Sequence, residues 1–161
     1  MTLTIRKAVP GDGALIARFV RELAIYEKLE HEMEADAASF EAALFSDRPH
    51  VFCDIAEWQG EAAGFALWFY NYSTFLGRHG IYLEDLYVSP SMRGHGIGKG
   101  LLVHLARRCV EEGLGRLDWQ VLDWNAPSID FYESQGAKVL REWLPCRVTG
   151  AALAELAEGR A

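Results

Sequence analysis

Apolar and polar positions alternate through residues 2–8, the period of a half-buried strand, and Pro10-Gly11-Asp12-Gly13 breaks the run. Behind that turn Leu15, Ile16, Phe19, Val20 and Leu23 fall on one helical face, with Asp12 placed as the N-cap. Residues 26–33 are acidic and irregular, and 36–45 read as a second short helix. Two strands follow at 50–57 and 61–70, joined at Gln59-Gly60 as a hairpin, and a fourth runs through 81–88.

The second half changes period. Residues 99–112 are helical, with Leu101, Leu102, Leu105 and Cys109 on one face and a stop at 113–115. Residues 116–122 alternate as a strand, and 125–135 form another helix, with Pro127 near its start and Gly136 at its end. A strand, helix and strand in that order make a parallel βαβ unit, whereas the earlier hairpin is antiparallel. The expected fold is therefore α/β, a mixed sheet flanked by helices, in one domain spanning residues 1–161.

Composition narrows the function classes. The chain has 161 residues, half of them hydrophobic, enough for one compact core. The longest apolar stretch, 62–70, is too short for a bilayer, and the N-terminus lacks a signal-peptide pattern, so the expected location is the cytoplasm with no membrane partner. Cys53, Cys109 and Cys146 have no C-x-x-C spacing and are expected to pack structurally. The five histidines form no ligand cluster with them, so no metal is assigned. A net charge of −7 repels a phosphate backbone, which argues against nucleic acid and leaves room for a cationic small molecule.

The most informative segment is Arg93-Gly94-His95-Gly96-Ile97-Gly98-Lys99-Gly100, between the fourth strand and the long helix. Glycines let backbone N–H groups converge without a Cβ in the way, and a helix N-terminus adds positive potential, so a pyrophosphate can be held there. A Walker loop would need glycine at Arg93 and Ser or Thr at Gly100, and a dinucleotide fingerprint would need G-x-G-x-x-G; neither is met. What is met is R-x-x-G-x-G, through Arg93, Gly96 and Gly98. In this the sequence resembles the GNAT superfamily of N-acetyltransferases. The segments Tyr82-Leu83-Glu84-Asp85-Leu86-Tyr87-Val88, Trp124-Asn125-Ala126-Pro127-Ser128-Ile129-Asp130-Phe131-Tyr132 and Glu22-Leu23-Ala24-Ile25-Tyr26-Glu27 look like its diamine (spermidine/spermine-type) branch.

The resemblance implies a GNAT-like fold, a mostly antiparallel central sheet, acetyl-CoA as cofactor, a homodimer, and transfer of acetyl to the primary amine of a diamine or polyamine. It implies that the backbone of Leu86, Tyr87 and Val88 pairs with the pantetheine arm, and that the run from Arg93 through Gly94, His95, Gly96, Ile97, Gly98 and Lys99 holds the pyrophosphate. Asn125, Pro127 and Ser128 would touch the cofactor, Tyr132 would stand by its sulfur, and Tyr26, Glu27, Glu84 and Asp85 would meet the amine.

The chemistry suits these residue types. An alkyl ammonium, with a pKa near 10.4, leaves only about one molecule in a thousand as free base at neutral pH. Glu84 is the expected proton acceptor, and Tyr132 the acid that protonates the leaving sulfur. Regular alternation puts Glu84 with Tyr82 and Leu86, and Asp85 on the opposite face with Leu83 and Tyr87, so both acids share a face only if a bulge intervenes. Two other readings stay open. One is acetylation of a lysine-like amino acid such as thialysine, or of a protein lysine: Arg141, ahead of Glu142 and Trp143, stands where polyamine enzymes carry an acid and could bind a carboxylate. The other is a non-catalytic acyl-CoA binding domain.

Overall fold

The N-terminal alternation is used by a strand. In the computed structural model, which describes residues 2–160, β1 (Leu3–Lys7) lies antiparallel to β2 (Phe52–Trp58), with Ile5 opposite Ala56. β2 pairs antiparallel with β3 (Glu61–Ser73), β3 antiparallel with β4 (Arg78–Val88), and β4 parallel with β5 (Leu117–Asp118). The sheet order is β1-β2-β3-β4-β5, the mixed α/β architecture that the sequence leads one to expect. At the Gln59-Gly60 hairpin both φ angles are positive, 54° and 85°, the turn that matches strand twist.

The chain divides into two compact units, Met1–Leu122 and Asp123–Ala161. In the first, α1 (Gly13–Tyr26) buries Ile16 and Phe19 completely, and Phe19 stacks on Phe65 of β3 with ring centroids 5.6 Å apart. Full burial of such a side chain is worth about 1.5–3 kcal/mol. α3 (Ile97–Glu111) buries Leu101, Leu102, Leu105 and Cys109, the face read from the sequence.

Asp12 occupies the N-cap position of α1, but its carboxylate does not cap the helix. It accepts instead from Arg6 Nη1 and from the Val9 amide, both at 2.8 Å. Glu41 of α2 (Ala37–Leu44) serves the α1 start in its place, accepting the amides of Gly11 at 2.9 Å and Gly13 at 2.8 Å. α2 has its own capping box from Asp36 and Ser39.

Three expectations are corrected. The strand expected over 116–122 pairs only at Leu117–Asp118, because the bulge in β4 described below bends the edge that β5 would have to follow. Cys53 and Cys109 are packed, but Cys146 is exposed. The third is the regular alternation expected around Glu84, taken up below.

The second unit holds α4 (Ala126–Ser134) and α5 (Gly150–Ala157), and nearly all of residues 138–160 are exposed. No described helix is long and apolar enough to cross a membrane.

Candidate active site

The glycine-rich loop earns its sequence through backbone geometry. Gly94 and Gly96 have φ of 85° and 73°, left-handed values that cost an L-residue about 1–2 kcal/mol, and Gly96 is the residue from which α3 starts. The Gly100 amide donates to Gly96 O at 2.8 Å and begins the helical ladder. Among the described residues, the amides of Gly94, His95, Gly96, Ile97, Gly98 and Lys99 donate to no protein acceptor. These free donors stand at the positive end of a helix, an arrangement that fits a diphosphate. His95 fixes the loop to the sheet by stacking on Trp58, with centroids 4.8 Å apart and planes 14° from parallel.

Along β4 the register against β3 shifts. Leu83 lies opposite Trp68, but Asp85 lies opposite Leu67, so Glu84 is an extra residue. Residues directly opposite each other share a face. Leu83 and Leu86 therefore lie together on the face of Trp68 and Ala66, whereas Tyr82, Asp85 and Tyr87 lie on the face of Phe69, Leu67 and Phe65. This overturns the regular alternation and supplies the bulge on which sharing of one face by the two acids depended.

The electrostatics follow the geometry. Burial, then the charges of Glu84 and Glu27, push the Asp85 carboxyl from its usual range up to about 7. Burial also raises the carboxyl of Glu27, which caps the C-terminal end of α1. The Tyr82 phenol is raised by burial and by Glu84 and Asp118. Glu84 itself is exposed. Three carboxylates thus share one neighbourhood, and Asp85 is the one whose protonation is set near neutral pH.

The other edge of β4 is open where the acids lie. β5 pairs only with Ile81 and Tyr82, so from Leu83 to Val88 no described strand bonds to that edge. An unpaired edge accepts an extended ligand as an added strand.

Tyr26, the last residue of α1, and Tyr87 flank the guanidinium of Arg93, which stands 5.2 Å and 5.8 Å from their ring centroids. Arg93 Nε donates to Val88 O at 3.0 Å. Tyr87 donates to Glu22 at 3.0 Å, and burial together with that carboxylate pushes its phenol to about 12. The contacts of Trp58 and Trp68 are not legible in the chain, since each meets its partner only through the tertiary fold.

In the second unit, buried Asn125 caps α4 by accepting the Ser128 amide at 3.4 Å, and Pro127 lies in the first turn. Tyr132 is half-buried on the same helix, its ring 5.4 Å from Phe131.

Residues 17–137 match the model of the Acetyltransferase (GNAT) family. A thialysine N-epsilon-acetyltransferase of Sus scrofa is 38% identical over 97% of this chain and 98% of its own length. An L-ornithine acetyltransferase of Arabidopsis thaliana is 32% identical over 92% of this chain and 85% of its own. Among solved structures, an integron cassette protein from the mobile metagenome of V. cholerae superposes with a TM-score of 0.80 at 29% identity, covering 98% of this chain and 99% of that one. With a left-handed glycine loop opening α3, a bulged β4 with a free edge, and relatives that match it almost end to end, the chain belongs to the GNAT family of acetyltransferases.

Proposed function

We propose that this enzyme transfers acetyl from acetyl-CoA to the primary amine of a small molecule by direct attack within a ternary complex, residues 1–161 working as one domain in a cytoplasmic homodimer. The observation that carries the reading is the coincidence, on one strand, of an open edge at residues 83–88 with two carboxylates at 84 and 85. The sequence motifs point to a diamine or polyamine as acceptor. The relatives named for thialysine and ornithine favour an acceptor that is an amino acid with a side-chain amine.

Acetyl-CoA would supply the activated acetyl group. Its pantetheine arm would lie along Leu86, Tyr87 and Val88, its diphosphate on the amides of Gly94 to Lys99, and Asn125, Pro127 and Ser128 would border it. Glu27 and Glu84 hold the acceptor's ammonium, with Tyr26 beside them. The sequence favours Glu84 as the proton acceptor, but the burial of Asp85 makes Asp85 the better base, because a carboxyl near 7 takes a proton at working pH far more readily than one in the ordinary range. The proton would leave the ammonium nitrogen for Asp85, directly or through one water; the freed amine would attack the acetyl carbonyl carbon, the carbon–sulfur bond would break, and Tyr132 would give its Oη proton to the departing thiolate and regain one from the acetylated nitrogen.

The test is release of free thiol from acetyl-CoA against a panel of amines: spermidine, putrescine, lysine, thialysine and ornithine. Turnover with at least one primary amine is expected. Uptake of coenzyme A without thiol release for any of them would leave a binding domain, not an enzyme.

A further inference from the structure

Among the described residues, Asp54 is the only charged side chain in the fully buried core, 3% exposed. Taking a carboxylate out of water is costly, and an apolar side chain packed in its place often leaves a protein more stable. Asp54 stands on the face of the sheet that α3 covers, whereas Asp85 stands on the face that α1 covers. Its charge therefore needs a use other than packing or direct contact with the amine.

Its two oxygens face different elements. Oδ2 accepts the indole N–H of Trp68, on β3, at 2.9 Å. His104 Nε2, on α3, is buried without a hydrogen bond among the described residues and stands 3.4 Å from Oδ1. The Trp68 ring is held on several sides: Phe52 stacks on it at 4.8 Å, Tyr70 meets it edge-on at 5.2 Å, and Arg108 of α3 lies 5.1 Å from it. Tyr70 adds a second tie to α3, donating to Glu112 at 2.9 Å, and Glu112 lies 3.8 Å from Arg108.

The register puts this contact directly behind the acids. Asp54, Ala66 and Leu86 form one cross-strand row, and Phe52, Trp68 and Leu83 form the next row on that face. Between the two rows, turned to the other face, lie Cys53, Leu67 and Asp85. The Asp54–Trp68 hydrogen bond runs from one row to the other and so spans the point at which Glu84 is the extra residue. His104, which meets the same carboxylate, sits roughly two turns along the helix that Gly96 opens.

We propose that Asp54 is a positioning residue for acetyl transfer. Through Trp68 it holds the β4 bulge, and through His104 it sets that bulge against α3, so that the base and the diphosphate anchor keep one separation. This rests on the reading of Asp85 as the base and of the loop amides as the diphosphate site. A carboxylate suits the task because its two acceptor oxygens serve two elements at once, whereas an apolar residue would pack without choosing a register.

The experiment removes the polar contact and keeps the packing. Kinetics with acetyl-CoA and the best amine of the panel compare the wild type, Asp54→Asn, Trp68→Phe, and a triple variant combining Asp54→Leu, Trp68→Phe and His104→Leu, each with a urea titration. The triple variant is expected to be at least as stable as the wild type. Its kcat should nevertheless fall by roughly tenfold to a hundredfold, with KM for acetyl-CoA within about twofold. The neutral limb of its kcat/KM profile should move down by about one pH unit, because Asp85, on which Glu84 and Glu27 also act, gains water once the bulge loosens. Asp54→Asn keeps an acceptor for Trp68 without the charge, and should retain most of the turnover and the wild-type limb. Should the triple variant fail to fold, Trp68→Phe carries the same kinetic expectation. Wild-type kinetics in a stable triple variant would make the carboxylate a packing feature and overturn the proposal. So would an equal loss in Asp54→Asn, which would assign the effect to charge. Failure of every amine to release thiol from the wild type would instead defeat the acetyl-transfer reading beneath it.

Discussion

The indole N–H of Trp68 donates to the carboxylate of Asp54 at 2.9 Å, and both residues are almost wholly buried. His104 of α3 approaches the same carboxylate at 3.4 Å, and Arg108 lies 5.1 Å from the Trp68 ring. Trp68 is the β3 residue at which the register against β4 shifts. The hydrogen bond therefore pins β3 beside the bulge that puts Glu84 and Asp85 together. Trp68→Phe leaves a buried carboxylate short of a donor and is expected to cost about 1–3 kcal/mol, read as a lowered urea midpoint with an unchanged slope.

Asp85 makes activity and stability depend on pH in opposite senses. Its carboxyl is pushed up to about 7, so if Asp85 is the base as proposed it is lost as pH falls, and kcat/KM should climb through neutral pH on a limb that Asp85→Asn removes. For stability the sign reverses. Because the folded-state pKa is raised, from about 4 up to about 7 the folded protein keeps a proton that the unfolded chain has released, and stability falls across that window. Asp85→Asn should thus be more stable than the wild type above pH 7, with the difference fading below pH 4. Denaturant titrations at several pH values decide it, and a pH-independent difference would remove Asp85 from this role.

Gly96 needs its left-handed backbone at the place where α3 begins. Gly96→Ala is expected to strain the loop by about 1–2 kcal/mol and to raise KM for acetyl-CoA by roughly 5- to 30-fold, with little change in KM for the amine. Equal effects on both substrates would show that the loop does more than hold the diphosphate.

Tyr132→Phe removes one oxygen from a half-buried ring and should leave α4 intact. Turnover is expected to drop by roughly a hundredfold while acetyl-CoA affinity, measured by calorimetry, barely changes. Undiminished kcat would take the phenol out of the chemistry.

What the sequence reveals and what it hides divide along physical lines. The α3 face at Leu101, Leu102, Leu105 and Cys109, the Gln59-Gly60 turn and the glycine loop are local patterns, and local patterns are legible one segment at a time. The bulge is not local: Glu84 is an extra residue only relative to Leu67 and Trp68 on another strand, and nothing within 82–88 marks it. The same holds for the α1 start, where Asp12 is the natural cap but Arg6 and Val9 claim its oxygens and Glu41 replaces it. Residues 119–122 alternate well enough for a strand, yet the parallel pairing with β4 stops at Tyr82 and Asp118.

The free edge of β4 also has a cost outside catalysis. Between Leu83 and Val88, the alternate residues whose main-chain donors and acceptors point away from β3 meet no described strand. An edge of that kind will accept whichever extended chain arrives first, including that of a neighbouring molecule. If the thioester carrier lies along this edge as proposed, it would double as a guard: purified without it, the enzyme should clump more readily on standing, and keeping coenzyme A in the storage buffer should prevent this.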